Sequence, residues 1–471
     1  MKSRISALLL LAAAWSGCDS GNRAKPAFDR DTVATVTKSD TAKTTQAVEP
    51  MLPATPGTFS ESLTGNGQAY VVYLPKSYRE KVTTPLMVFF DPQGNGRVPV
   101  HRFAALADAF GCVLAGSNQV RNGLDLESSA SMAADLAGTV LKRLGVEHRG
   151  LFLCGFSGGA KVALVAPGRM KGVTGVIHCG AGLPDGIPAP ALPTYGITGT
   201  HDMNYAEVVD FVNRYGNQPM HHLDITEGKH EWPEEAAMRR AFNWCSVIAC
   251  KAESDCKPDR LKSFVRQIES ASGSNIRPVQ RMRALRCGRD VLSGLVPVND
   301  WESRMEKLSR DPAYQRSIQE EARSMSTELN RRQFLLDAFR TQDESWWSHV
   351  IGDLIQRKSE PMNDRLLGYI SLACYSLSRQ ALGEGNWQEV ARLNRIHLQA
   401  DPENSEANYL SALQFARSAQ HDSALVRMKI AVEKGFREPE RFAFDESFRS
   451  CFTAAERERF TEAMRKNQSA W

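Results

Sequence analysis

Past its N-terminal start, this 471-residue chain has no apolar run near the roughly 18 residues of a membrane-spanning helix, so no internal span is expected. Charge of one sign does not accumulate either: 58 Lys and Arg face 54 Asp and Glu for a formal net charge of +4. No basic run and no interleaving of aromatic with basic residues occurs, which removes the electrostatic footprint of a nucleic-acid binder; no nucleic-acid partner is expected. The ten cysteines lack the matched short pairs of a zinc site, so no structural metal is expected and no other cofactor is implied. Between Gly180 and Pro193 there is only a short stretch rich in Gly, Pro and Ala. It is too small for a lid domain and predicts that a cleft on that side stays open.

What is present is Leu151-Phe152-Leu153-Cys154-Gly155-Phe156-Ser157-Gly158-Gly159, an apolar strand running into a glycine-framed serine. Glycines on both sides let the backbone turn sharply from strand to helix and expose the Ser157 hydroxyl at the strand's C-terminal end. A second buried strand follows at Thr194 to Gly199 and leads to Thr200-His201-Asp202. A third, from His222, leads through Gly228 to His230-Glu231-Trp232-Pro233, where Pro233 at the first helical position and Glu234-Glu235 behind it predict a helix start. Serine, acid and histidine thus come in that order, each after a strand.

On these residues, Phe59 to about Ser246 resembles the α/β-hydrolase superfamily, in particular the compact esterases typified by feruloyl esterases, polyester depolymerases and dienelactone hydrolases. The resemblance implies an α/β fold with a mostly parallel sheet flanked by helices. It also implies Ser157 as nucleophile, His230 as general base and then acid, and Asp202 as the carboxylate that orients the imidazole. His201, His221 and His222 are rival histidines, and Asp224 and Glu227 rival acids. Two backbone N–H donors should face the oxyanion. One is that of Gly158; the other lies in the loop after Leu86 to Phe90, where relatives carry His-Gly and this chain carries Asp91-Pro92-Gln93. Proline has no N–H, which leaves Gln93, with Asp91 behind it. Asn118 to Gly123 should lie on the same sheet edge, where Arg121 or Asn122 would contact substrate, brace the oxyanion loop or form a solvated turn.

The start, with Lys2 and Arg4, the apolar run Ile5 to Ala14 and then Trp15-Ser16-Gly17-Cys18, has the charged-apolar-small pattern of an export signal. It resembles the lipobox of bacterial lipoproteins, which implies diacylation of Cys18 and a membrane-anchored protein of the cell envelope; Trp15 departs from the leucine usual there. Residues 1–18 are read as this signal and 19–56 as a tether too polar to order itself. The hydrolase-like domain is read as 57–246, a linker as 247–259, a helical region as 260–360, and further helical pairs with a cap as 361–471.

In the last segment Gly385-Asn386-Trp387 through Asp401-Pro402 resembles a tetratricopeptide repeat. Ala412, Phe415, Ala424, Met428 and Ala431 fall at a second repeat's packing positions, and Val390 and Ala424 stand 34 residues apart, one period of that family. Asn394 and His397 depart from it, and a generic helical bundle is the alternative. No catalytic pattern occurs in this half, so the two halves are expected to work as separate modules, the helices serving a protein partner. Cys112 and Cys154 read as buried and inert; Cys245, Cys250 and Cys256 should supply one disulfide. The function expected is a serine esterase of the bacterial envelope acting on an ester such as an acylated glycan or a polyester. A catalytically inactive envelope scaffold and a serine peptidase are the alternatives.

Overall fold

Segments in which every residue is apolar or small have no side to offer water, and the chain places them at the centre of a sheet. In the computed structural model, which describes residues 55–80, 82–144, 150–184, 186–215, 220–253 and 256–469, eight strands form one sheet. They are β1 (Phe59–Leu63), β2 (Ala69–Tyr73), β3 (Leu86–Phe90), β4 (Val113–Ser117), β5 (Leu151–Phe156), β6 (Val173–Cys179), β7 (Thr194–Gly199) and β8 (His221–Thr226). Their order is β1-β2-β4-β3-β5-β6-β7-β8. β2 is antiparallel to both neighbours and every other pair is parallel. This is the mostly parallel sheet of the α/β-hydrolase fold expected from the sequence. Cys18, the signal read over 1–18 and almost all of the tether lie outside the described residues.

β3, β4 and β5 are buried along their whole length. Side chains of β5 alternate between two cores, as the two-residue period of a strand requires. Phe152 and Cys154 join the side covered by α1 (Arg97–Arg102), α2 (Ala104–Phe110) and, later in the chain, α6 (Glu235–Glu253). Leu151 and Leu153 join the side covered by α3 (Leu126–Leu144), α4 (Gly158–Val165) and α5 (Tyr205–Tyr215).

After β8 the described residues form only helices. α7 (Pro258–Ala271), α8 (Pro278–Leu292), α9 (Asn299–Ser309), α10 (Pro312–Thr341), α11 (Glu344–Gln356) and α12 (Pro361–Gly383) are followed by α13 (Trp387–Ala400), α14 (Ser405–Arg417) and α15 (His421–Glu433). The short α16 (Pro439–Phe444) and α17 (Glu446–Cys451) and the longer α18 (Ala454–Ser469) close the chain. Proline opens α7, α8, α10, α12 and α16, a position where its missing N–H costs nothing. Short turns pair α12 with α13 and α14 with α15, and Asn394 and His397 are buried in the first of these pairs. There the Ser371 hydroxyl lies 2.8 Å from His397 Nε2, which gives the departure from an apolar pattern a physical partner.

Two expectations change. Residues 247–259 are no linker: α6 runs through to Glu253, the Cys250–Cys256 disulfide closes the turn, and α7 begins at Pro258. The helix after His230 starts at Glu235, so Pro233 precedes it, and the first cap bond runs from Ala237 N–H to Glu234 O. The junction is also not hollow. Phe242, Trp244 and Val247 of α6 share one continuous core with Phe264, Met282, Leu285, Trp301 and Tyr314, so the first helices extend the core of the sheet.

Candidate active site

Ser157 stands between β5 and α4 with φ +52° and ψ −120°, a conformation that costs a residue with a side chain on the order of 1–3 kcal/mol. Its neighbours leave no alternative. A Cβ on Gly155 would sit 2.0 Å from Gly159 O, and one on Gly159 would sit 2.0 Å from Phe90 O, so strand, turn and helix close up only with glycine at both places. The Ser157 N–H donates to Cys179 O at 2.8 Å and ties the turn to β6.

The loops after β7 and β8 bring the acid and the histidine to this serine. His230 Nδ1 is 2.8 Å from Asp202 Oδ1 and His230 Nε2 is 2.9 Å from Ser157 Oγ. A carboxylate can only accept, so Nδ1 carries the proton and Nε2 is left to accept from the serine hydroxyl. Asp202 is buried and its Oδ1 also accepts the Asn204 N–H at 2.7 Å, while the Asn204 amide reaches Gly180 O at 2.9 Å. The His230 ring lies against Phe156, centroids 4.7 Å apart.

The rival residues are engaged elsewhere. Asp224 accepts from Arg240 Nε at 2.7 Å, Glu227 is exposed and accepts from Thr200 Oγ1, and His201 sits between Glu227 and Asp364. His221 faces Thr194, and His222 is buried in the core beside Trp244.

Of the two oxyanion candidates, Gly158 opens α4, where position alone leaves its N–H without an intrahelical acceptor. The Gln93 N–H is not free: it donates to Asp91 Oδ1 at 2.9 Å. Asp91 is itself buried, and its Oδ2 accepts from Trp232 Nε1 at 2.9 Å. Burial pushes its carboxyl up from the ordinary value, against hydrogen bonds from Trp232 and the Gln93 amide that favour the charged form. Arg121 pairs with Gln93 in an isolated antiparallel bridge and the Asn122 N–H donates to Pro92 O at 2.8 Å, so this loop braces the Asp91–Gln93 turn.

Sequence reading missed the Trp232–Asp91 bond, although both residues lie in segments it singled out, because nothing local says that the two loops meet. It also missed the approach of the helical half. α10 and α12 contact the loop that carries Asp202, and the turn between α15 and α16 brings Arg437 close enough for its charge to act on Asp91. Helices of the second half thus reach two of the loops around Ser157. Among the described residues no group of three or more His, Cys, Asp or Glu side chains is placed to hold a metal ion, and no helix is long and apolar enough to cross a membrane.

The chain matches no protein-family model and no curated protein sequence. Among solved structures it is similar to a bifunctional GH43-CE protein of Bacteroides eggerthii, at 11% identity and TM-score 0.31 over 38% of this chain and 36% of that one. It is similar also to the esterase LipW from Mycobacterium marinum, at 17% identity and TM-score 0.32 over 42% of this chain and 82% of that one. Esterase 2 of Thermogutta terrifontis stands at 13% identity and TM-score 0.33 over 42% of this chain and 97% of that one. The chain thus spans about a third of the first of these proteins, and likeness at this level does not bear on chemistry. The fold itself is fixed by strand order: the chain carries an eight-stranded α/β-hydrolase sheet followed by a helical half.

Proposed function

We propose that this chain is a serine hydrolase that cleaves carboxylic esters through an acyl-enzyme. Ser157 Oγ attacks the ester carbonyl while His230 Nε2 takes its proton; His230 then returns the proton to the leaving alkoxide and activates water to release the acid. Asp202 keeps the imidazole in the tautomer that can accept, and stabilises the imidazolium as it forms. The Gly158 N–H is the first donor to the oxyanion. The Gln93 N–H is the second, shared between Asp91 Oδ1 and the substrate oxygen. We further propose that Cys18 carries the lipid that holds the enzyme at the bacterial envelope, and that its ester belongs to a bulky substrate such as an acylated glycan or a polyester.

The observation that carries the hydrolase reading is the unbroken chain Ser157 Oγ, His230 and Asp202 beneath a serine held at positive φ. The test uses a fluorophosphonate probe together with p-nitrophenyl esters, acylated glycans and short peptides. Ser157 should be the labelled residue. Ser157→Ala should lower ester turnover by several orders of magnitude without loss of fold, since the hydroxyl contributes little packing. Peptide cleavage in place of ester turnover would make the enzyme a peptidase, and a Ser157→Ala protein keeping a tenth of its turnover would remove Ser157 from the chemistry.

A further inference from the structure

Three buried charges stand where α10 and α12 meet the sheet domain. Glu328 is 0% exposed and Arg332 and Arg365 are each 5% exposed. Glu328 Oε2 accepts from Arg365 Nε at 2.9 Å and Nη2 at 2.5 Å, and its Oε1 accepts from Arg332 Nη2. Two guanidinium groups share one carboxylate, and each also turns a donor outward. Arg365 Nη1 donates to Thr200 O at 2.6 Å and Arg332 Nη2 to Met203 O. Those two carbonyls bracket His201 and Asp202. The neighbouring Asp364 accepts from His201 Nδ1 at 3.0 Å. The Arg365 guanidinium stacks over Tyr205 at 4.6 Å, and the Tyr205 N–H donates to Asp202 O at 2.8 Å. α12 comes so close that a Cβ on Gly368 would stand 3.1 Å from Met203 Cβ.

We infer that Arg332 and Arg365, held by Glu328, are positioning residues for the acid of the Ser157–His230–Asp202 set, so that the helical half completes the active site instead of merely flanking it. The inference rests on the hydrolase reading. A buried ion network is weak evidence for stability, since apolar side chains of similar volume often serve as well. What apolar side chains cannot do is hold two carbonyls on either side of Asp202. Arginine's planar fork reaches carboxylate and carbonyl at once. The distance from Asp202 to His230 is therefore set by helices more than a hundred residues away in sequence.

The test compares the full chain with Glu328→Leu/Arg332→Met/Arg365→Met and with Arg365→Lys, reading thermal stability, kcat and KM on p-nitrophenyl acetate and the rate of fluorophosphonate labelling of Ser157. The triple variant should stay folded, melting lower only by the cost of two carbonyls that lose their donors, yet lose about 10²-fold in kcat and labelling rate with KM nearly unchanged, the loss that a small misplacement of a catalytic group produces. Arg365→Lys should fall between. In an Asp202→Asn background the triple replacement should change kcat by less than about 2-fold, because residues acting through one group are not additive. Should the triple variant fail to fold, Arg365→Lys decides: a folded Arg365→Lys protein with parental kcat overturns the inference. So does a folded triple variant with parental kcat, or a full additive loss on top of Asp202→Asn. A parent chain that neither turns over esters nor labels at Ser157 overturns the hydrolase reading and this inference together.

Discussion

A serine at positive φ is held there by something other than itself, and here the constraint is two missing Cβ atoms, at Gly155 and Gly159. That constraint was legible in the sequence, because glycine at both flanks is rarely needed unless strand and helix meet this closely. The acid was less so. Asp202 and Asp224 both follow or lie within apolar strands, and only the structure shows Asp224 given over to Arg240 and Tyr195 while Asp202 faces His230. Asp202→Asn should cut kcat by as much as about 10⁴-fold, because an amide in that place favours the wrong imidazole tautomer. Asp224→Asn should leave kcat near normal and cost stability instead, since Arg240 would lose its partner. The two variants assayed side by side on one ester check the assignment, and equal losses would reopen it.

At the scale of elements, the catalytic edge is held together by bonds between loops that the sequence lists far apart. Trp232 links the loop that carries His230 to the Asp91–Gln93 turn through Asp91 Oδ2. Its ring packs against Phe89, Phe103 and Phe156, so Trp232→Phe keeps an aromatic ring there while removing the N–H and part of the ring volume. Leaving a buried acceptor unsatisfied costs about 1–3 kcal/mol. The variant should therefore melt lower, and kcat should fall as the Asp91–Gln93 turn loosens, with KM for a small ester little changed. Unaltered melting and turnover would mean that the bond is ornamental. Strand limits were readable from apolar runs: the strands expected from Leu151 up to the serine turn and at Thr194 to Gly199 are found at Leu151–Phe156 and Thr194–Gly199. Which helix faces meet the sheet domain was not readable. Glu328, Arg332 and Arg365 look like any solvated helix face, and pattern alone cannot tell a charge in water from a charge paired in the core.

At the scale of the whole molecule, three histidines among the described residues are buried neutral: burial pushes His178, His222 and His397 down to about 4. In the unfolded chain each would protonate below its ordinary value of about 6.5. Between about pH 6.5 and 4 the unfolded state thus binds protons that the native state does not, and stability falls as pH falls through that window. Each group accounts for on the order of 3 kcal/mol by its lower end. Denaturant midpoints should be flat above pH 7 and drop steeply from pH 6.5 toward 4. His397→Gln should flatten that drop, provided the amide takes over the bond to Ser371. A midpoint independent of pH across this range would show that these rings are charged in the native state.

Separable halves were the natural expectation from a sequence whose candidate triad ends at His230 and whose second half holds no catalytic pattern. Packing argues the reverse. The core that begins at Val71 and Phe89 runs without a break through Phe242 and Trp244 into Phe264, Met282, Leu285 and Trp301, so a chain cut near Pro258 bares a large apolar face of α6. Exposed patches of that kind drive association, and the shortened protein should be poorly soluble or bind a hydrophobic dye. The cut also removes the donors to Thr200 O and Met203 O, and Arg437 beside Asp91. Even refolded in isolation, residues 57–257 should label at Ser157 far more slowly than the full chain. A soluble, monomeric fragment with full turnover on p-nitrophenyl acetate would show that the helices touch the catalytic edge without shaping it.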